Sequence, residues 1–153
     1  MWISWYSDGT IKENGLWRHN KKDGEWFGYF ENGQPEYRIS WNDGVKHGSY
    51  MSFYQDNKLK SAGTFIHEKK DGIWFFYYKN GNKMRIENWK YGIPEGEWKY
   101  FYENENKKAS GYISKGNRTG YWKYYFENKA ISSEGNWNND TLNGLWLYYH
   151  ENG

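Results

Sequence analysis

The sequence predicts an all-β protein, a single-layer antiparallel β-meander of tandem 24-residue hairpin repeats that is elongated, twisted and curved. Three observations predict it. Glycine recurs at 24, 48, 72, 96, 120 and 144, and two places later stands Trp26, Tyr50, Trp74, Trp98, Trp122 or Trp146, with Trp2 in the same phase. A fixed period of this length marks a repeat architecture. Of 153 residues 35 are aromatic, against only 15 Ile, Leu and Val together, and aromatic residues favour strands. Asp8-Gly9, Asn32-Gly33 and Asn80-Gly81 punctuate the aromatic runs, which is a strong short-range hairpin signal.

Each unit reads as one hairpin. Its first strand holds the Gly-x-Trp pair and a second aromatic column, Trp5, Tyr29, Phe53, Tyr77, Phe101, Tyr125 and Tyr149. A turn column follows: Asp8, Asn32, Asp56, Asn80, Asn104, Asn128 and Asn152. A two-residue type I′ turn needs positive φ at both central positions, so Asn104-Glu105 and Asn128-Lys129 predict longer turns. The second strand carries Trp17, Trp41, Phe65, Trp89, Ile113 and Trp137, usually two places after a glycine. The two-residue turn sets Gly24 opposite Trp41, Trp26 opposite Ile39, and pairs Trp2 with Gly15, Tyr50 with Gly63 and Trp122 with Gly135. A ring laid over a facing glycine covers its bare backbone.

The second connector, such as residues 42–47, is polar and too short to cross a sheet, so successive hairpins lie side by side. About 13 strands at roughly 4.8 Å spacing would make a trough roughly 60 Å long. Residues 1–153 form one repeat domain in the register 1–23, 24–47, 48–71, 72–95, 96–119, 120–143 and 144–153.

Composition excludes several functions. With 21 basic and 19 acidic side chains the net charge is +2, too small and too evenly spread to predict nucleic-acid binding or attraction to a membrane. There is no cysteine, hence no disulfide, thiolate metal site or cysteine nucleophile. No apolar run approaches 18 residues, and the opening residues lack a signal-peptide pattern, so a cytoplasmic location is the expectation. His19, His47, His67 and His150 do not converge: His47 shares a connector column with Asp23, Asp71, Glu95, Thr119 and Asn143, a mixture that reads as solvated turn residues. Glu31, Glu103, Glu127 and Glu151 share a column without a paired acid and base. No phosphate-loop, dinucleotide or nucleophile-elbow motif occurs. No catalytic residue, metal or cofactor is expected, and the protein is not expected to be an enzyme.

The unit Gly-x-Trp-x-x-Tyr-[Phe/Tyr]-x-Asn-Gly followed by Gly-x-Trp-x-x-Gly-x-x-x-Gly, best seen at 24–33, 96–104 and 111–122, resembles the MORN repeat. It is closer to the bacterial variant of YwqK-type antitoxins. The resemblance covers the whole chain and departs from the pattern at Tyr50, Glu105, Ile113 and Lys129. It implies an aromatic-lined groove used for protein–protein association, with lipid binding proposed for some members, and the antitoxin label implies a toxin as partner.

The resulting expectation is a non-enzymatic scaffold that captures another polypeptide, because rigid Trp and Tyr side chains supply contact area at low entropic cost. The groove face is read as Trp26, Trp41, Tyr54, Trp74, Tyr78, Trp89, Trp98, Tyr102 and Trp122. Open sheet edges could accept a partner strand, and a dimer is compatible with the apolar face. The alternative is an extracellular cell-wall, glycan or choline-binding module, since aromatic cages recognise quaternary ammonium groups.

Overall fold

The computed structural model describes residues 1–152, all strands and turns with no helix among them. They cluster into two compact units, residues 1–71 and 72–153. The first contains β1 (Trp2–Trp5), β2 (Ile11–Arg18), β3 (Lys21–Tyr29), β4 (Pro35–Asn42), β5 (Val45–Phe53), β6 (Leu59–Ile66) and the opening residues of β7 (Lys69–Tyr77). The second holds the rest of β7, then β8 (Lys83–Lys90), β9 (Ile93–Pro94), β10 (Gly96–Phe101), β11 (Lys107–Ser114), β12 (Asn117–Tyr125), β13 (Ile131–Asn138) and β14 (Thr141–Tyr148). Within each unit the strands pair antiparallel in chain order; β9 is a two-residue piece beside β8, set off from β10 by Glu95.

At the strand centres the expected partners meet. Trp2 faces Gly15, Gly24 faces Trp41, Trp26 faces Ile39, Tyr50 faces Gly63 and Trp122 faces Gly135. The turns, however, are the reverse of the expectation. At Asn32-Gly33 the loop has three residues, closed by Phe30 N–H to the Gln34 carbonyl (2.9 Å) and Gly33 N–H to the Phe30 carbonyl (2.9 Å). Only Gly33 has positive φ (78°), as in a type I turn followed by a left-handed residue. A bulge between Gly28 and Tyr29 absorbs the extra residue, so the strand centres keep the register a two-residue turn would impose. The asparagine acts through its side chain: Asn32 Oδ1 accepts the Gln34 N–H at 3.0 Å, a local turn bond this residue type favours.

The turns at Asn104 and Asn128 are no longer than the others, closing from Tyr102 N–H to the Asn106 carbonyl and from Phe126 N–H to the Ala130 carbonyl, both at 2.8 Å. Glu105 (φ 68°) and Lys129 (φ 75°) are held in the left-handed region instead. The type I′ turns lie in the second connector, where Asp43 (φ 48°) and Gly44 (φ 86°) are both left-handed, as are Asn139 (φ 48°) and Asp140 (φ 61°). Residues 42–47 are therefore a two-residue turn flanked by strand.

Two glycine columns have different causes. Gly24 and its equivalents all have positive φ, between 65° and 115°. Gly24 sits where the β2–β3 register slips past Gly15 and Leu16, at a bulge that needs this conformation. The slip frees the Leu16 carbonyl, and the Trp26 indole takes it (Nε1 to O, 3.0 Å). Trp98, Trp122 and Trp146 repeat the bond to Asn88, Tyr112 and Asn136 at 3.2, 3.0 and 2.8 Å. Gly15, Gly111 and Gly135 are bare because rings lie on them, but the ring comes from the following hairpin rather than from the partner in the same one: Trp26, Trp122 and Trp146.

Candidate binding site

The tryptophan column is more deeply packed than a contact surface would be. Trp26, Trp74, Trp98 and Trp122 are 0, 2, 8 and 2 % exposed. Trp41, Trp89, Tyr54, Tyr78 and Tyr102 are half-buried. The tyrosine column is tied into the scaffold: Tyr78 Oη donates to the Phe101 carbonyl and Tyr102 Oη to the Tyr125 carbonyl, both at 2.8 Å. Trp89 donates its Nε1 to Glu87 Oε2 at 2.8 Å. Each unit accordingly brings only some of the nine candidates to a cleft, Trp41 in the first and Tyr78 and Trp122 in the second.

In the first unit that cleft, about 420 Å³, is lined by side chains that bond one another. Glu13 Oε1 accepts from Lys22 Nζ and from the Tyr37 hydroxyl, both at 2.5 Å. Lys22 Nζ lies 3.9 Å from the Trp26 ring centre, a cation–π contact. The Tyr37 ring covers Gly28, so a methyl group there would sit 2.2 Å from the ring. Burial first, and then the Glu13 carboxylate, pushes the Tyr37 hydroxyl well above the ordinary tyrosine range.

The second unit presents a wider cleft of about 630 Å³. Its floor is Ala109, which faces Tyr100 on β10 and Tyr124 on β12. Arg85 faces Tyr100 from β8. Its guanidinium carbon lies 3.8 Å from the Phe76 ring centre, and its Nε bonds Glu87 Oε1 at 2.6 Å. On the other side Arg118 stacks on Trp137 at 3.6 Å and bonds Asp140 Oδ1 through Nε at 2.7 Å. Lys108 completes the rim, its Nζ 5.4 Å from the Tyr102 ring centre. Burial, followed by the Glu87 charge, raises Tyr100 above the ordinary tyrosine value, so its hydroxyl stays protonated at neutral pH.

A family model for the MORN repeat variant matches residues 22–43, 46–67, 70–91, 94–112 and 118–139, in segments starting 24 residues apart. The chain belongs to the MORN repeat-variant family. No curated protein matches it significantly. MORN repeats serve generally as protein-interaction or scaffold modules, and each unit of this MORN chain offers one of the two clefts described above.

Sequence reasoning missed two things here. Arg85, Tyr100, Ala109, Arg118 and Tyr124 occupy columns whose residue type varies between MORN units, so periodicity drew attention away from them. The second connector column also concealed a contact: His47 lies in β5 rather than in a loop, and its ring meets His67 with centroids 5.0 Å apart. Among the described residues, no group of three or more His, Asp or Glu side chains is placed to hold a metal ion.

Proposed function

We propose that this MORN protein is a non-enzymatic scaffold that holds a partner polypeptide on its aromatic face, principally in the second unit. The observation that carries this is the cleft over Ala109, where rigid tyrosine walls and stacked arginines sit on a hydrogen-bonded floor. Fixed aromatic and arginine groups are the side chains that dominate protein interfaces. An antitoxin role is the finer reading: the partner is then a toxin encoded beside this chain, held inactive in the complex. The test is cross-linking in the native host followed by mass spectrometry, comparing the wild-type chain with Tyr100→Ser/Tyr124→Ser. A stoichiometric partner that cross-links next to β10–β12 and is lost with the double substitution supports the scaffold. A partner retained at full yield by the variant removes this face from consideration. Rescue of growth on co-expression with that partner then decides the antitoxin reading. The choline-binding alternative gains nothing from Trp26, Phe76 and Trp137, which already carry the chain's own cations.

A further inference from the structure

One line of directly facing residues runs across the strands of each unit, and its side chains differ in size from strand to strand. In the first unit it reads Ser4, Glu13, Gly28, Tyr37, Ser52 and Ser61. In the second it reads Phe76, Arg85, Tyr100, Ala109, Tyr124, Ser133 and Tyr148. Tyr37 and Ala109 fall in the same repeat column, 72 residues apart. Where the first unit puts a ring between two small neighbours, the second puts a methyl between two rings. We propose that the slot over Ala109 receives an acidic polypeptide segment in extended form. An apolar or aromatic side chain of that segment rests on Ala109 between Tyr100 and Tyr124, and a neighbouring carboxylate rests on Arg85 and Arg118.

This inference rests on the protein-binding reading above and specifies the partner's chemistry. Its first support is width. Tyr100 and Tyr124 stand two strands apart, roughly 10 Å between backbones, which admits one side chain between the rings but not a helix about 10 Å across. The second is charge. Arg85, Lys108 and Arg118 line the slot against one acid, Asp140, and Glu87, which pairs with Arg85, is 5 % exposed beneath it. Lys108 has no ion-pair partner among the described residues. The third is preorganisation. Each arginine gives its Nε to an acid and its flat face to a ring, and Arg85 Nη1 makes only a weak contact with Met84 Sδ at 3.4 Å. Arg118 also engages the Tyr124 hydroxyl, which ties its guanidinium to the slot wall, and the remaining terminal N–H groups of the two arginines can fork onto a carboxylate. In the first unit the corresponding groups satisfy one another, Lys22 and Tyr37 both engaging Glu13.

The test uses the full chain and a fluorescein-labelled synthetic peptide that alternates glutamate and tyrosine, read by fluorescence anisotropy. Binding is expected to weaken about tenfold in Arg118→Gln, since a charge-assisted hydrogen bond is lost, and in Ala109→Phe, which fills the slot. It is expected to be unchanged in Lys99→Gln, because Lys99 lies between Trp98 and Tyr100 and so on the opposite face. If Ala109→Phe does not fold, Arg118→Gln and Lys108→Gln carry the same test. Equal affinity for a lysine–tyrosine peptide, or indifference to Arg118→Gln, overturns the acidic partner while leaving the protein-binding face standing. Anionic lipid vesicles or duplex DNA binding in place of either peptide, together with loss of the cross-linked partner, would overturn both.

Discussion

Gly111→Ala tests the idea that the indole column determines where glycine must stand. A β-carbon on Gly111 would lie 2.2 Å from Trp122 Cδ2 and 2.3 Å from Cε2 and Cγ, more than an ångström inside ordinary contact. Trp122 is 2 % exposed, belongs to a cluster with Trp98 and Ile113, and stacks on Tyr124 at 5.9 Å between centroids. Lifting the ring breaks its Nε1 bond to the Tyr112 carbonyl (3.0 Å), worth about 1 kcal/mol. Overpacking of this kind costs about 1 to 3 kcal/mol. The expected loss is therefore about 2 to 4 kcal/mol, a fall in Tm on the order of 5 to 15 °C for a chain of this size, measured by near-ultraviolet circular dichroism. The deciding measurement is the same substitution made on a Trp122→Leu background. With the ring gone, alanine should be neutral or better than glycine in a strand, by up to about 1 kcal/mol. A single substitution costing under about 0.5 kcal/mol, or a penalty that persists on the Trp122→Leu background, would refute the ring-on-glycine account.

Glu105→Gly and Lys129→Gly should each stabilise the fold by about 0.5 to 1 kcal/mol, because relief of the left-handed conformation exceeds the added freedom of the unfolded chain; chemical denaturation of the single and double variants checks the values and their additivity. Arg85→Met should cost about 3 kcal/mol by removing the cation paired with the buried Glu87 carboxylate, which keeps its bond from the Trp89 indole, and adding Glu87→Gln should recover part of it, as read by urea unfolding. Hydrogen bonds from Tyr121, Tyr149 and Lys123 hold Glu134 below the usual carboxylate range, and bonds from the Arg118 side chain and backbone do the same for Asp140. A depressed folded-state value means that this stability is present above the unfolded values of about 4, and is lost as pH falls through the lower folded ones. Thermal scans from pH 7 to pH 2 should stay flat to about pH 5 and then decline, less steeply in Asp140→Asn.

The period and the strand-centre register were legible because they depend on residue classes that repeat: glycine where φ is positive, an indole two places on, asparagine at the turn. What was not legible follows from compensation. A three-residue loop with a bulge at Gly28 and a two-residue turn without one give the same partner for Trp26, so the register alone could not assign the turn type. Which neighbouring ring covers Gly15 is likewise undetermined by register, since Gly15 faces both Trp2 and Trp26, and the slip beside Gly24 settles it. The cleft was hidden for the opposite reason. Ala109, Tyr100 and Arg118 matter by differing from their counterparts, whereas a search for recurrence selects what stays the same. His47 was misplaced because the connector's two-residue turn leaves it within β5.

At the three-residue turns, the tyrosine and asparagine bonds that join one hairpin to the next end on peptide carbonyls. Tyr6 reaches that of Tyr29, Tyr78 that of Phe101 and Tyr102 that of Tyr125, while Asn32, Asn80 and Asn128 reach those of Gln55, Glu103 and Glu151. Every amino acid owns such an acceptor, so this margin of the seam is blind to the identity of the module it meets. The opposite margin is not: there Lys21 meets Asp43 and Arg118 meets Asp140. A 24-residue cassette exchanged in frame would find its joints ready-made along one margin and would have to bring its own acid or base to the other.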